Sequence, residues 1–191
     1  MSALPNILTT LRLIAAPVMV VLFVLDDSAE GAFRWLSLIV FLTAAATDLL
    51  DGYLARRWRV VSTFGKLADP IADKVLVLSA LAMLAAHDEI PWWPFIVLLV
   101  REVAVTFGRF AVASGTVIPA SAGGKVKTAL QVIAIGAMLI PMAPAWVDTV
   151  AMWVLIAAVA LAIVTGADYG GRIVRANSRR RAEQRGEREN A

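Results

Sequence analysis

The sequence predicts an all-α integral membrane protein, a six-transmembrane-helix bundle with both termini in the cytoplasm. Three observations support this fold class. Hydrophobic residues make up 60% of the 191 residues, and the mean hydropathy is +0.75, whereas a soluble domain is usually about 45–50% apolar. The apolar residues fall into six long runs. The charged residues between these runs alternate in sign along the chain.

Each apolar run approaches the roughly 20 residues that a helix needs to cross the hydrocarbon core. We place the six spans at 8–25, 33–55, 69–86, 91–113, 126–143 and 146–169. Charged or turn-forming segments separate them, namely 26–28, 56–66, 87–89, 114–125 and 141–144. The first run has no basic residue before it and no clear small-residue cleavage site after it. We therefore expect a retained first helix rather than a signal peptide.

The charges in the connecting loops predict the orientation. Loops one, three and five carry Asp26, Asp27, Glu30, Asp88, Glu89 and Asp148, with Arg34 as the only nearby base. Loops two and four carry Arg56, Arg57, Arg59, Lys66, Lys125 and Lys127. Because basic loops stay in the cytoplasm, loops two and four and both termini are expected there.

The chain divides into a membrane domain, 1–171, and a basic cytoplasmic tail, 172–191, which holds seven arginines. We expect the tail to extend the last helix and to lie against anionic lipid headgroups, or to act only as a topology anchor. Trp92, Trp93, Trp146 and Trp153 are expected at the membrane interface or facing lipid. His87, the only histidine, is expected to be solvated in an outer loop.

Four aspartates stand near the cytoplasmic ends of the second and third spans. Asp48 and Asp51 are three residues apart, and Asp69 and Asp73 are four apart, so each pair shares one helix face. Asp69 followed by Pro70 also fits a helix N-cap and first position. The loop between the two spans is short, so the helices should be antiparallel neighbours with the two pairs facing each other.

Four converging carboxylates need more positive charge than Lys74 and Arg56 supply. The chain has no cysteine, and an all-oxygen ligand set selects hard divalent ions, chiefly Mg²⁺, with Mn²⁺ or Ca²⁺ possible. Two ions with bridging ligands suit four carboxylates and can clamp phosphate oxygens. The alternative for each aspartate is a solvated helix cap. Gly52 and Ala55 leave room for a nucleotide or for helix packing, and Arg56 can reach a phosphate.

These residues form the pattern Asp48-x2-Asp51-Gly52-x2-Ala55-Arg56-x8-Gly65-x3-Asp69-x3-Asp73. The pattern resembles the signature of the CDP-alcohol phosphotransferase family. The resemblance implies a six-helix fold, a homodimer and an active site open to the cytoplasm of a bacterial inner or plasma membrane. It implies that the four aspartates hold two divalent ions, with Asp73 also the general base. It implies contacts to the CDP moiety of the donor from the following residues: Asn6, Gly52, Ala55, Arg56 and Gly65.

Weaker motifs resemble the bacterial subfamily that moves a phosphatidyl group from CDP-diacylglycerol to sn-glycerol 3-phosphate and releases CMP. They are the segment 4–12, Arg101-Glu102 and the segment 124–131. We assign the acceptor phosphate to Arg101, Arg109, Lys125 and Lys127, although Lys125 and Lys127 could instead only enforce topology. Glu102 is expected to point away from Arg101 and not to pair with it.

Two other functions remain open from the sequence. A sister enzyme would use another acceptor, such as inositol phosphate, serine or phosphatidylglycerol. A cation- or proton-coupled carrier would use intramembrane acids, but it would place them near the midplane and show an inverted repeat. The acids here cluster at one end of the spans, and the chain shows no internal repeat.

Overall fold

The computed structural model describes residues 3–27, 29–58, 63–112 and 122–189, and the side chains of 10–27, 29–47, 74–108 and 123–171. In this part of the chain the structure is all helical and has no strand. Six helices follow one another: α1 Ala3–Asp26, α2 Ala32–Trp58, α3 Thr63–Ala86, α4 Trp92–Val112, α5 Ala122–Met138 and α6 Ala145–Glu189. The predicted number of helices is confirmed.

The helix ends differ from the predicted spans because hydropathy detects only the apolar part of a helix. The third helix begins at Thr63, six residues before the predicted start, so Asp69 and Pro70 lie inside it and the predicted N-cap is wrong. The fifth helix ends at Met138, five residues early, because a residue that precedes proline disfavours the helical region and Pro141 follows closely. The sixth helix continues through the charged tail to Glu189, which confirms the predicted extension.

Asp26 and Arg34 bind the helix ends together on one side of the bundle. The Asp26 carboxylate accepts hydrogen bonds from the backbone N–H groups of Glu30 (3.0 Å), Gly31 (3.0 Å) and Arg34 (3.1 Å) at the start of α2. The buried Arg34 guanidinium donates to both oxygens of Glu89 and to the Met138 carbonyl (3.0 Å). We call this region, defined by Asp26, Glu30 and Glu89, the acidic end.

The contacts at the acidic end fix the direction of every helix. The last residues of α1 and α5 and the turn after α3 lie there, so these three helices run toward it. The second helix begins there, the fourth begins three residues after Glu89, and Met142 just before α6 donates its N–H to Glu30 (2.6 Å). Successive helices are therefore antiparallel. The segments that carry the four aspartates, α2 after residue 47 and α3 before residue 74, lie toward the opposite end.

His87 belongs to the acidic end, where it lies in the turn after α3 and is partly exposed, and its ring also has contacts that the sequence does not predict. Its ring packs edge-on against Phe23, with the centroids 4.8 Å apart, and Nδ1 lies 3.0 Å from the Met83 carbonyl oxygen. The other side of Phe23 faces the Arg34 guanidinium, 4.2 Å from the ring centroid. The aromatic ring thus lies between the histidine and the guanidinium and joins α1 to the turn after α3.

The core is a continuous apolar cluster. The first helix packs against α2 and α3, the fourth against α3 and α6, and the fifth against α6. Their inward faces bury large side chains completely, among them Met19, Phe23, Phe41, Leu81, Leu98, Ile135 and Leu155. Because every helix contributes to this cluster or borders it, the helices form one bundle.

The outward surface is also apolar. Phe107 is 70% exposed, Val164 65%, and Trp146 and Trp153 67% each; Trp92 and Trp93 are exposed as well, and their contact with the membrane stays a prediction. Contiguous apolar surface of this extent marks contact with lipid or protein. Among the described residues, Ala145–Gly171 is long and apolar enough to cross a membrane, while Ala32–Thr47 and Lys74–Ala86 are apolar but shorter. Six helices are confirmed, and six spans stay a prediction.

Removing the charge of Asp26 should loosen the acidic end. Asp26→Asn keeps the shape but places an amide group against N–H donors, so we expect the free energy of unfolding in detergent to fall by about 1–2 kcal/mol. The matched control is Asp27→Asn, an exposed neighbour whose positive φ of 44° asparagine tolerates. Equal unfolding midpoints for the two variants, measured by thermal denaturation, would contradict this role of Asp26.

Candidate functional site

A second polar centre lies inside the bundle, well away from the acidic end. It comprises Lys74 on α3, Arg101 and Glu102 on α4, Lys127 on α5 and Thr165 on α6, and we call it the charged cluster. Lys74 precedes the last residue of α3 by 12 positions, which is about 18 Å of helix. Four helices therefore contribute to one polar site in a mostly apolar interior.

The Glu102 carboxylate is the centre of this cluster. Its Oε1 accepts from Arg101 Nη1 at 2.8 Å and from the Lys127 ammonium, and its Oε2 lies 3.4 Å from Lys74 Nζ. The Glu102 side chain is 10% exposed and that of Lys127 is 6% exposed. A buried ion needs a partner at short range because desolvation is expensive. One carboxylate thus partners three cations.

The expectation that Glu102 points away from Arg101 is wrong. Side chains at adjacent helix positions diverge at Cβ, but the long arginine stem brings the guanidinium back to the carboxylate. Lys127 on α5 bonds to the same oxygen, Oε1. The partner choice is therefore set by packing between helices rather than by positions along α4.

The sixth helix orients the Arg101 guanidinium. Arg101 Nε donates to the Ala162 carbonyl (3.3 Å), and Nη2 donates to Thr165 Oγ1 (3.3 Å). Two glycines allow the close approach: a Cβ at Gly166 would lie 3.3 Å from Arg101 Cγ, and one at Gly123 would lie 2.8 Å from Thr165 Cγ2. The guanidinium is thus held on three sides by α4 and α6.

Lys74 connects the cluster to the helix that carries two of the predicted metal ligands. Its ammonium donates to Thr106 Oγ1, and this hydroxyl donates to the Glu102 carbonyl (2.7 Å). Asp73 immediately precedes Lys74 in α3. The helix backbone therefore carries Asp73 and the charged cluster at the same level of the bundle.

The residues predicted to bind the acceptor phosphate do not all lie in the charged cluster. The structure brings Arg101 and Lys127 together through Glu102. Lys125 is exposed on α5 and outside the cluster, because residues two apart in a helix do not share a face. The side chain of Arg109 lies outside the described residues.

The predicted metal and CDP residues also lie outside the described side chains. Their backbone positions are Asn6 in α1, Asp48, Asp51, Gly52, Ala55 and Arg56 in α2, and Gly65, Asp69 and Asp73 in α3. Both helices continue without interruption through these positions, so the spacings of three and four keep each aspartate pair on one helix face. The described side chains alone contain no group of three or more acids or histidines that could hold a metal ion.

Three cluster members were not predicted as site residues. Glu102 is a carboxylate within an apolar helix, and such residues usually mark function, so its signal was present in the sequence. Lys74 was considered only as a charge near the aspartates. Thr165 has no signal of its own, because a threonine in an apolar helix usually bonds to its own backbone, as this one does to the Leu161 carbonyl (2.7 Å).

An open apolar groove of about 510 Å³ runs between α4 and α6 beside the cluster. Valine, isoleucine, alanine and glycine line most of it, and Arg101 and Tyr169 supply the polar atoms. The cluster therefore has an apolar flank that opens to the outer surface of the bundle.

Comparison with known proteins identifies the family. The family model described as CDP-alcohol phosphatidyltransferase matches residues 2–164. A probable phosphatidylglycerophosphate synthase of Mycobacterium tuberculosis is 42% identical over 172 residues, which cover 90% of this chain and 82% of that protein. A protein of Bacillus subtilis named CDP-diacylglycerol–glycerol-3-phosphate 3-phosphatidyltransferase is 35% identical, over 87% of this chain and 92% of its own length. A protein of Rickettsia typhi with the same name is 36% identical, over 88% of this chain and 96% of its own length.

The family match covers most of the helical bundle, including the segment that holds the four aspartates and the charged residues of the cluster; it ends one residue before Thr165. The relatives are aligned over nearly their whole lengths. This chain is therefore an enzyme of the CDP-alcohol phosphatidyltransferase family.

Proposed function

We propose that this enzyme transfers the phosphatidyl group of CDP-diacylglycerol to sn-glycerol 3-phosphate, forming phosphatidylglycerophosphate and releasing CMP. The observation that carries the proposal is the charged cluster, a buried site with more positive than negative charge next to the helix that bears Asp69 and Asp73. The names of the relatives from Bacillus subtilis and Rickettsia typhi contain the same donor and acceptor, and the name of the Mycobacterium tuberculosis relative contains the same product.

The charge of the cluster supports a phosphorylated acceptor. Arg101, Lys127 and Lys74 share the single carboxylate of Glu102, and excess charge in a poorly solvated site favours an anionic ligand. Serine carries no net charge, and phosphatidylglycerol offers only a phosphodiester. Inositol phosphate meets the same requirement, so the choice of glycerol phosphate rests on the relatives.

The four aspartates suit divalent ions, on which members of this family generally depend. Four carboxylates on two uninterrupted helix faces form an all-oxygen donor set, which fits Mg²⁺, with Mn²⁺ as a substitute. We assign two ions to Asp48, Asp51, Asp69 and Asp73. When bound, such ions stabilise negative charge on the pyrophosphate oxygens of the donor.

The residues of the chain account for the remaining steps. The charged cluster binds the acceptor phosphate, and Asn6, Gly52, Ala55, Arg56 and Gly65 bind the CDP moiety. Asp73 accepts the proton of the acceptor hydroxyl. That oxygen forms a bond to the phosphorus of the phosphatidyl group, the bond from this phosphorus to the oxygen shared with CMP breaks, and CMP leaves with the electron pair.

The bundle is placed in the bacterial cytoplasmic membrane with six spans, as a homodimer. The apolar outer surface and the alternating helix directions support the six spans, and the homodimer rests on the family resemblance alone. The acidic end faces outward, and the opposite end, with Asp73 and the basic tail 172–191, faces the cytoplasm, where glycerol 3-phosphate and CDP-linked lipid headgroups are available. The apolar flank between α4 and α6 then faces the bilayer that holds the lipid donor.

The orientation can be tested with single cysteines, because the natural chain has none. Asp88→Cys should react with a membrane-impermeant maleimide in intact cells, whereas Ser178→Cys should react only after the membrane is permeabilised. The residues were chosen because Asp88 is exposed at the acidic end and Ser178 lies in the tail. Reaction of both positions from the same side would contradict the three spans between them, an odd number that places the acidic end outside and the tail inside.

The acceptor can be tested with purified protein in detergent. CDP-diacylglycerol, Mg²⁺ and one acceptor at a time are supplied, and CMP release is measured. We expect release with sn-glycerol 3-phosphate at least about tenfold faster than with inositol phosphate, serine or phosphatidylglycerol, and none after chelation of Mg²⁺. Faster release with another acceptor would identify a sister enzyme. No release with any acceptor would contradict the family activity.

The role of Asp73 can be tested by Asp73→Asn, which keeps the size of the side chain but removes the base. We expect kcat to fall by roughly 10²–10⁴-fold while the protein remains monodisperse with an unchanged unfolding midpoint. Asp88→Asn is the matched control, since Asp88 is exposed at the acidic end and its positive φ of 60° suits asparagine. Near-normal turnover of a folded Asp73→Asn protein would exclude Asp73 as the base.

A further inference from the structure

Glu102 is the only carboxylate that contacts the cations of the charged cluster among the described side chains. Lys74, Arg101 and Lys127 reach it from three helices, and none of the four side chains is more than 25% exposed. On the basis of the proposed function, we propose that Glu102 is a positioning residue for the acceptor: it gathers these three cations around one phosphate-sized site and fits that site to a phosphomonoester dianion.

The three cations need Glu102 in order to stay together. Three cations that contact the same carboxylate are close enough to repel one another strongly where water is scarce. The carboxylate places Arg101 Nη1 at 2.8 Å and Lys74 Nζ at 3.4 Å from its two oxygens, and it bonds to Lys127 directly. Neighbouring groups fix the other sides, with Thr165 and the Ala162 carbonyl on Arg101 and Thr106 on Lys74. Removing the carboxylate would leave the cations to disperse.

The cations keep hydrogen-bonding capacity for a ligand. An ammonium or a guanidinium has more N–H donors than the bonds to Glu102, Thr106, Thr165 and Ala162 use. A phosphate can therefore bind to Lys127, Arg101 and Lys74 while Glu102 remains in place. The carboxylate then acts through the cations and does not touch the reacting atoms.

The charge balance identifies the class of ligand. Three cations and one carboxylate leave two positive charges in the cluster, which a phosphomonoester dianion neutralises. A phosphodiester monoanion or a neutral alcohol leaves positive charge uncompensated in a buried site, and such burial is costly. Glu102 thus sets the net positive charge of the cluster, which the negative charge of the acceptor must balance.

The first experiment measures steady-state kinetics of the full-length protein in detergent with CDP-diacylglycerol and sn-glycerol 3-phosphate. Glu102→Gln is expected to raise the KM for glycerol 3-phosphate roughly tenfold or more, with kcat within about threefold and the KM for CDP-diacylglycerol unchanged. Glu102→Asp keeps the charge with a shorter reach and should give a smaller rise. An unchanged KM for glycerol 3-phosphate in folded Glu102→Gln, or an equal rise in the donor KM, would overturn the proposal.

The matched control is Glu89→Gln. It removes a carboxylate from another ion pair, that of a partly exposed Glu89 with the buried Arg34 at the acidic end, and should lower the unfolding midpoint without moving the KM for glycerol 3-phosphate. If Glu89→Gln raised this KM as much as Glu102→Gln does, Glu102 would only stabilise the fold and the proposal would be overturned. If Glu102→Gln does not fold, Glu102→Asp is the deciding variant, and an unchanged acceptor KM in it would overturn the proposal.

A double-mutant cycle shows whether Glu102 acts through Lys127. Lys127→Gln alone should also raise the acceptor KM, and in Glu102→Gln/Lys127→Gln the rise should be clearly smaller than the product of the two single rises. Independent effects that multiply would mean that Glu102 does not position Lys127, and would overturn that part of the proposal.

Binding of simple phosphate esters separates this inference from the proposed function. By isothermal titration without donor, methyl phosphate should bind to the wild-type protein at least about tenfold more tightly than dimethyl phosphate, and Glu102→Gln should lose this preference. Equal binding of the two esters would overturn the dianion assignment. Failure to turn over glycerol 3-phosphate with the ester preference intact would refute the proposed acceptor alone.

Discussion

The site depends on the Glu102 carboxylate, because cationic side chains from α3, α4 and α5 all pair with it. Packing of apolar side chains brings these helices together, but it does not set the rotation of each helix about its axis as accurately as hydrogen bonds require. The hydrogen bonds of Glu102 with Lys127 and Arg101 set this rotation, since each forms only in a narrow range of distance and angle. The sixth helix adds Thr165, and the glycines at 123 and 166 let it come close enough to do so.

The acidic end provides the corresponding constraint on the other side of the core. Asp26 closes the turn between α1 and α2, and Arg34 ties that turn to Glu89 and to the end of α5. Between these two polar centres the interior is mostly apolar, although Ser37 and Gln131 are also buried there. Such a core permits sliding along the helix axes, so two separated polar centres define the register of the helices better than either would alone. Among the side chains that the structure describes, the acidic end has no spare cation, whereas the charged cluster does, and of these two centres the cluster is therefore the one suited to hold an anion.

The sequence was sufficient for the helix count, the alternation of direction and the family, because these follow from long apolar runs, loop charges and a dense motif. It was insufficient for helix ends, since α3 includes the polar turn before Asp69 that hydropathy does not detect. It also did not predict the contacts of Glu102 and His87. Their environments are set by side chains from other helices, Lys127 for one and Phe23 for the other, and no spacing within a single segment specifies such contacts. Lys125 and Lys127 look equivalent in the sequence, but the rotation of α5 separates them.

The continuity of α3 gives the proposed reaction a geometric basis for choosing its acceptor. Lys74 belongs to the site that would hold the acceptor phosphate, and Asp73 is the residue assigned to take the proton from its hydroxyl. Asp73 and Lys74 are adjacent positions of one uninterrupted helix, so the base and the acceptor phosphate would be held by the same element of the bundle. In the proposed reaction, an acceptor must reach the base with its attacking hydroxyl while its phosphate is bound to the cluster. We expect charge to favour a phosphomonoester and this reach to favour one phosphomonoester over another, which is a distinction that charge alone could not make between glycerol phosphate and inositol phosphate.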